Sequence, residues 1–349
     1  MKTNPFAARL DAFRRRLRAR KLTCAVVRDE ANVRALTGVA CDNAYLLVRA
    51  QGDPVFYTDF RYIPMVHRTA PWIEVRDCAV FSGTKPLSTC RAAGLESSIP
   101  HAQWGRLAKV FPRAEITDVA ADLSALRAVK TPAECDRLRA AEKLNDEIWS
   151  AAKARFRPGM TEQDMARVIR RLMIERGDGE AFETIVCIGK NAAECHHVPD
   201  KTVWNGRAPI LVDMGVKLDG YCSDMTRNIV PARPSKLYAQ VYALVLEANR
   251  RAIAAARPGL TTGELDAVAR DYLTANHFGA AFGHALGHGV GLEIHEAPTA
   301  RKGDKTVLEP GMSVTIEPGV YLEGNLGVRI EDLVLITKDG CEVLSKSAK

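Results

Sequence analysis

A chain of 349 residues, 47% of them hydrophobic, is long enough for two domains with separate cores. No apolar run approaches the roughly 18 uncharged residues of a membrane span, and no stretch has signal-peptide character, so the cytoplasm is expected, with no membrane partner. Nine cysteines, an odd number without a C-x-x-C pair, argue against a disulfide framework and a thiolate zinc site; Cys195 and Cys222 could each serve as soft ligand or nucleophile, but are read as small buried filler because cysteine is so often buried for packing alone.

Much of the net charge of +7 comes from Arg9, Arg14, Arg15, Arg16, Arg18, Arg20 and Lys21. They share a segment with Phe6, Leu10, Phe13 and Leu17, whose three- and four-residue spacing predicts an amphipathic helix with a solvated basic face. No aromatic-rich basic stripe accompanies it, and no nucleic-acid partner is expected. Next come the strand LTCAVV, the pair AYLLVRA and PVFYTD around a Gln51-Gly52-Asp53 turn, and a helix from Arg61. These make residues 1–122 an α/β domain, followed by a linker over 123–130. Thr131-Pro132-Ala133-Glu134 is a capping box with proline at the first helical position, and it opens a second domain over 131–349.

The second domain contains an echo. Arg157-Pro158-Gly159-Met160-Thr161 recurs as Arg257-Pro258-Gly259-Leu260-Thr261, each copy ending one helix and capping the next, which predicts two related α+β halves. Each half also holds a hairpin that opposes two acids. In ILVDMGVKLDGYCSDMTRNIV, a four-residue loop at Lys217–Gly220 would set Asp213 opposite Asp224. In SVTIEPGVYLEGNLGVRIEDLVLI, a loop at Leu322–Leu326 pairs Tyr321 with Gly327 and sets Glu317 opposite Glu331. Opposed side chains have Cβ atoms about 5 Å apart, so such carboxylates repel unless a cation sits between them. Four of them exceed the need of one divalent ion, so two metal ions are expected. The oxygen-rich set favours Mn(II) or Co(II), with Fe(II) or Zn(II) as alternatives.

Between the hairpins lies GHALGHGVGLEIHE. His284 and His288 have the spacing of a helical two-histidine motif, but glycines at 283, 287, 289 and 291 each cost about 1 kcal/mol in a helix. Alternation predicts instead a strand over Gly289–His295 with Val290, Leu292 and Ile294 on one side.

LVDMGVKLDGYCSDMTR, FGHALGHGVGLEIHEAP, TIEPGVYL and GVRIEDLVLI together resemble the metal-ligand blocks of the pita-bread metallopeptidases, in the aminopeptidase P and prolidase branch. AYLLVRAQGDPVFYTDFRY is similar to the creatinase-type N-terminal domain of that branch. The resemblance implies an α+β fold, an N-terminal α/β domain followed by a pita-bread catalytic domain with an internal pseudo-twofold repeat. It implies that Asp213, Asp224, His288, Glu317 and Glu331 bind two metals, with Asp224 and Glu331 bridging. Glu317 would act as proton carrier for a bridging hydroxide, and His196 and His295 would contact substrate. Arg329, His197 and His284 are expected around these groups. The implied substrate is a small peptide with proline in second position, and the implied assembly a homodimer; dipeptidase and aminopeptidase action are both compatible. The rivals are a metal-dependent hydrolase of a non-peptide C–N bond on the same fold, and a catalytically silent binding module.

Overall fold

Leu10, Phe13 and Leu17 are buried on one face of helix α1, Ala7–Ala19, in the computed structural model, which describes residues 4–80, 87 and 90–349. The arginines of its other face are tied down locally. Arg14 donates to Gly52 O at 2.7 Å, Arg18 donates to Ala50 O at 2.7 Å, and Arg16 and Arg20 pair with Asp122.

Chain contacts divide the molecule into Met1–Arg127 and Ala128–Lys349. In the first unit β1 (Cys24–Val27) lies central, antiparallel to β2 (Tyr45–Arg49) and parallel to β5 (Ala92–Leu95). With β3 (Val55–Thr58), β4 (Glu74–Asp77) and β6 (Glu115–Asp118) the order is β4-β3-β2-β1-β5-β6, with a buried apolar cluster against each face. Helices α2 (Glu30–Thr37), α3 (Ile63–Thr69) and α4 (His101–Val110) complete it. Residues 123–128, expected within a linker, continue helix α5, Ala120–Ala128.

The second unit begins as its capping box predicts. Thr131 Oγ1 accepts from the Glu134 N–H and Glu134 Oε2 from the Thr131 N–H, at the start of α6, Pro132–Lys153. The 100-residue echo is structural. Gly159 and Gly259 have φ of +94° and +85°, and Thr161 and Thr261 cap α7 (Glu162–Arg176) and α9 (Thr262–Ala275) with reciprocal bonds. Those two threonines also bridge Val203 and Val307. Helix α8, Lys236–Ala255, precedes the second copy as α6 precedes the first. Each half has its own core. Residues of α6 and α7 pack with β8 (Ile185–Ile188), β9 (Ile210–Met214) and β12 (Met225–Ile229); residues of α8 and α9 pack with β15 (Ser313–Ile316), β17 (Leu326–Arg329) and β18 (Asp332–Ile336). Among the described residues no helix is long and apolar enough to cross a membrane.

Candidate metal centre

The first hairpin closes more tightly than expected. Asp219 and Gly220, with φ of +50° and +74°, make a two-residue turn between β10 (Val216–Leu218) and β11 (Tyr221–Cys222), so Leu218 pairs with Tyr221. This is the Asp-Gly turn whose left-handed backbone matches strand twist, a signal that a four-residue loop overlooks. The register shifts by two, and Asp213 faces Thr226 rather than Asp224. Asp224 instead falls diagonal to Asp213, between β11 and β12, where its N–H donates to the buried Glu142 Oε2 at 3.0 Å. Gly215 permits this close approach of the two strands, since a Cβ there would lie 2.1 Å from Ser223 O.

The second hairpin keeps the expected register. Tyr321 pairs with Gly327, and Ile316 with Asp332, so Glu317 and Glu331 oppose each other where β15 gives way to β16 (Gly319–Leu322) and β17 to β18. Pairing runs on to Leu322 and Leu326, leaving a three-residue loop.

The expected strand over Gly289–His295 is a correction. The strand is β13, Gly287–Gly289; residues 290–295 bend and return as β14, Glu296–Ala300. Crowding is the reason. Added Cβ atoms would lie 2.3 Å from Ala297 O at Gly289 and 2.1 Å from Glu296 Oε1 at Gly291. The glycines admit the returning chain rather than loosen a strand.

All ten residues singled out in the sequence line one cavity of about 540 Å³: Asp213, Asp224, His288, Glu317 and Glu331, with His196, His197, His284, His295 and Arg329. His288 Nε2 lies 3.6 Å from Asp224 Oδ2 and 3.4 Å from Glu317 Oε1. Donor atoms of Asp224, His288 and Glu331 lie within 4.8 Å of one another. The His288 Nδ1–H donates to Gly289 O at 3.1 Å, which leaves the Nε2 lone pair facing the acids. His284 differs: its Nδ1–H donates to Ala285 O at 2.7 Å, and its Nε2 accepts from Tyr321 OH at 2.9 Å. The exposed His295 ring stands edge-on to His288, 4.3 Å between centroids.

Burial and mutual repulsion push the Asp224 and Glu331 carboxyls well above the ordinary carboxylate range, and burial lifts Glu317 to about 8. Burial likewise holds His288 below its ordinary value and so keeps it neutral. Asp213 Oδ2 accepts from Arg329 Nη2 at 2.7 Å, but its buried Oδ1 has no hydrogen-bond partner. An orphaned carboxylate oxygen among three crowded acids and an imidazole lone pair is a donor set that divalent cations fit.

Sequence reasoning missed the residues that brace this set. Thr226 donates to Glu331 Oε2 at 2.7 Å and accepts from Arg329 Nε at 3.1 Å. Thr315 donates to Glu317 Oε1 at 3.0 Å, and Tyr321 OH accepts from Arg329 Nη1 at 2.9 Å. For Thr226 the available signal was the Asp-Gly turn, which fixes its register against Asp213. His196 and His197 also part company: His196 is exposed at the cavity, whereas His197 is buried.

Two α+β halves that converge carboxylates and a neutral histidine on one cavity define a metallohydrolase of pita-bread architecture. Comparison with known proteins agrees. Metallopeptidase family M24 matches residues 136–338, and the Creatinase/Prolidase N-terminal domain matches residues 9–129. The uncharacterized peptidase YqhT of Bacillus subtilis is 32% identical, covering 93% of this chain and 94% of its own. An Xaa-Pro dipeptidase of Lactobacillus helveticus is 39% identical over 80% of this chain and 76% of its own. The solved prolidase of Pyrococcus horikoshii superposes with a TM-score of 0.93 at 30% identity, covering 98% of this chain and 99% of that one. The chain belongs to metallopeptidase family M24, which implies divalent metal ions.

Proposed function

We propose that this protein is a metal-dependent peptidase that hydrolyses Xaa-Pro bonds, with Xaa-Pro dipeptides as preferred substrates. The carrying observation is the cavity that gathers Asp213, Asp224, His288, Glu317 and Glu331, one carboxylate oxygen of which has no hydrogen-bond partner. The names of the Lactobacillus and Pyrococcus proteins support the substrate class.

Those five residues would hold two divalent ions, Mn(II) or Co(II). Bound ions supply Lewis acidity, which acidifies water and polarises a carbonyl. Arg329 occupies Asp213 Oδ2 and so reserves Oδ1 as the ligand atom, while the Thr226 and Thr315 hydroxyls fix the carboxylates of Glu331 and Glu317. Glu317 takes the proton of the attacking water and returns it to the leaving nitrogen. His196 and His295 donate to the developing oxyanion and the substrate backbone. Phe182, Ile185, Val198 and Ile294 supply apolar lining of the cavity, a wall against which a proline ring would rest. An Xaa-Pro bond has no amide hydrogen, so selection must use that wall and the carbonyl oxygens. A methylene in such a pocket is worth only about 1 to 3 kcal/mol, so some tolerance of other second residues is expected.

EDTA treatment should abolish activity and Mn(II) or Co(II) restore it, with Ala-Pro cleaved faster than Ala-Pro-Ala and both faster than Ala-Ala-Ala. Faster cleavage of Ala-Ala-Ala than of both proline peptides would overturn the assignment. Inactivity on all three would favour a non-peptide substrate or a binding role.

A further inference from the structure

Glu162, at the first position of α7, has a fully buried carboxylate. Its Oε1 accepts from the Ile188 N–H at 2.6 Å and from Asn191 Nδ2 at 2.9 Å; its Oε2 accepts from His197 Nε2 at 2.8 Å and from the Asp200 N–H at 3.0 Å. Three of these four donors belong to the segment 191–200, which carries His196. The other ring nitrogen of His197 lies 3.0 Å from Glu194 Oε2, so both nitrogens face carboxylates, an arrangement that favours the doubly protonated ring. Burial opposes that charge, but the bonds to Glu194 and Glu162 hold the His197 pKa above its ordinary value.

The internal repeat shows that the carboxylate is not needed for the chain path. In the first copy, the Glu162 N–H donates to Thr202 O at 3.1 Å and the Gln163 N–H to Asp200 O at 3.2 Å. In the second, the Thr262 N–H donates to Thr306 O at 2.8 Å and the Gly263 N–H to Asp304 O at 3.1 Å. The same docking is thus made with threonine in Glu162's place, its hydroxyl donating to Asp304 Oδ1 at 3.0 Å. Glu162 reaches further than the repeat requires, and its reach ends on the histidine next to His196.

We propose that Glu162 is a positioning residue: through the buried Glu162–His197 pair it fixes segment 191–200 so that His196 is presented to the cavity. The donor atoms of Glu162, His197 and Asp200 also lie within 4.8 Å of one another, as a metal site would require. Both Glu162 oxygens, however, already serve two donors each, which argues for a clamp of hydrogen bonds. The inference rests on the reading of His196 as a substrate contact.

Glu162→Gln turns an acceptor-only group into one with an N–H facing other donors, and His197→Phe deletes the donor. Each should lower kcat on Ala-Pro roughly ten- to a hundredfold, with KM within about twofold and metal content unchanged. His197→Gln, which keeps a donor toward Glu162, should recover most of that loss, and Glu162→Gln added to His196→Ala should cost nothing beyond His196→Ala alone. Unchanged kcat in Glu162→Gln, a loss that multiplies with that of His196→Ala, or a missing metal ion would each overturn the proposal. If Glu162→Gln does not fold, the His197 variants carry the same test. Wild-type turnover in His196→Ala would remove the underlying reading of that histidine, whereas an impaired His196→Ala beside a fully active Glu162→Gln removes only the clamp.

Discussion

His284 and His288 stand four residues apart, yet the backbone between them gives their Nε2 atoms different neighbours: Tyr321 OH for one, the crowded acids for the other. His288→Ala should therefore lose metal and nearly all turnover, while His284→Ala keeps its metal even where activity falls; equal metal loss in both would contradict the geometry. His284 also sets a pH response. Burial lowers its pKa from 6.5 to about 4, so the folded chain holds it neutral where the unfolded chain binds a proton. A base with a depressed folded pKa contributes stability above its unfolded pKa, and that contribution fades as pH falls from 6.5 toward 4. In metal-free protein, His284→Asn should flatten the fall of Tm across this window while lowering Tm at neutral pH. An undiminished slope in the variant would show that other groups produce it.

Two glycines of the first hairpin separate the demands of turn and site at the scale of an element. Gly220 sits at φ +74° in the turn, where a side chain costs about 1 to 2 kcal/mol through backbone strain. Gly220→Ala should lower Tm and keep near-normal metal content. Gly215 has no such strain, but its added Cβ would meet the Ser223 carbonyl, which is backbone and can yield only if the two strands part. That parting moves Asp224 relative to Asp213, so Gly215→Ala should lose metal and activity out of proportion to its change in Tm. Metal analysis beside thermal melts decides this, and comparable metal occupancy in the two variants would refute the distinction.

Across the molecule, the proposed cation ligands are drawn from strands of both halves of the repeat: Asp213 from β9, His288 from β13, and Glu317 and Glu331 from the junctions around β15 and β18. A ligand that binds only the folded state at a hundred times its Kd adds about 2.7 kcal/mol of stability. Metal should thus raise Tm and slow hydrogen exchange in Ile210–Met214, Met225–Ile229 and Leu326–Arg329 together, because ions held by the proposed ligands would join strands that belong to different cores. Protection confined to one half would show that the two halves do not share the ions.

Short-range patterns carried much of the design. Capping boxes at Thr131, Thr161 and Thr261 reuse a side-chain oxygen three residues from its donor, so four consecutive letters suffice to mark each helix start. The 100-residue echo and the Glu317–Glu331 register are likewise legible, because turn residues and alternation act within a hairpin. The Asp213–Asp224 register was legible too, in its Asp-Gly turn, and a longer loop misread it. Other contacts had no local signature. Thr226 reaches Glu331 across 105 residues, Arg329 reaches Asp213 across 116, and Glu142 holds the Asp224 N–H across 82. Periodicity tells which face of a strand is apolar but not which distant strand will lie against it, so the partner of a threonine or an arginine stays open until the halves pack. The sequence by itself determined the capped helix starts, the repeat and the register that opposes Glu317 and Glu331. Only tertiary packing decided which carboxylate oxygen Arg329 takes and which it leaves, because that choice belongs to groups brought together from opposite halves of the fold.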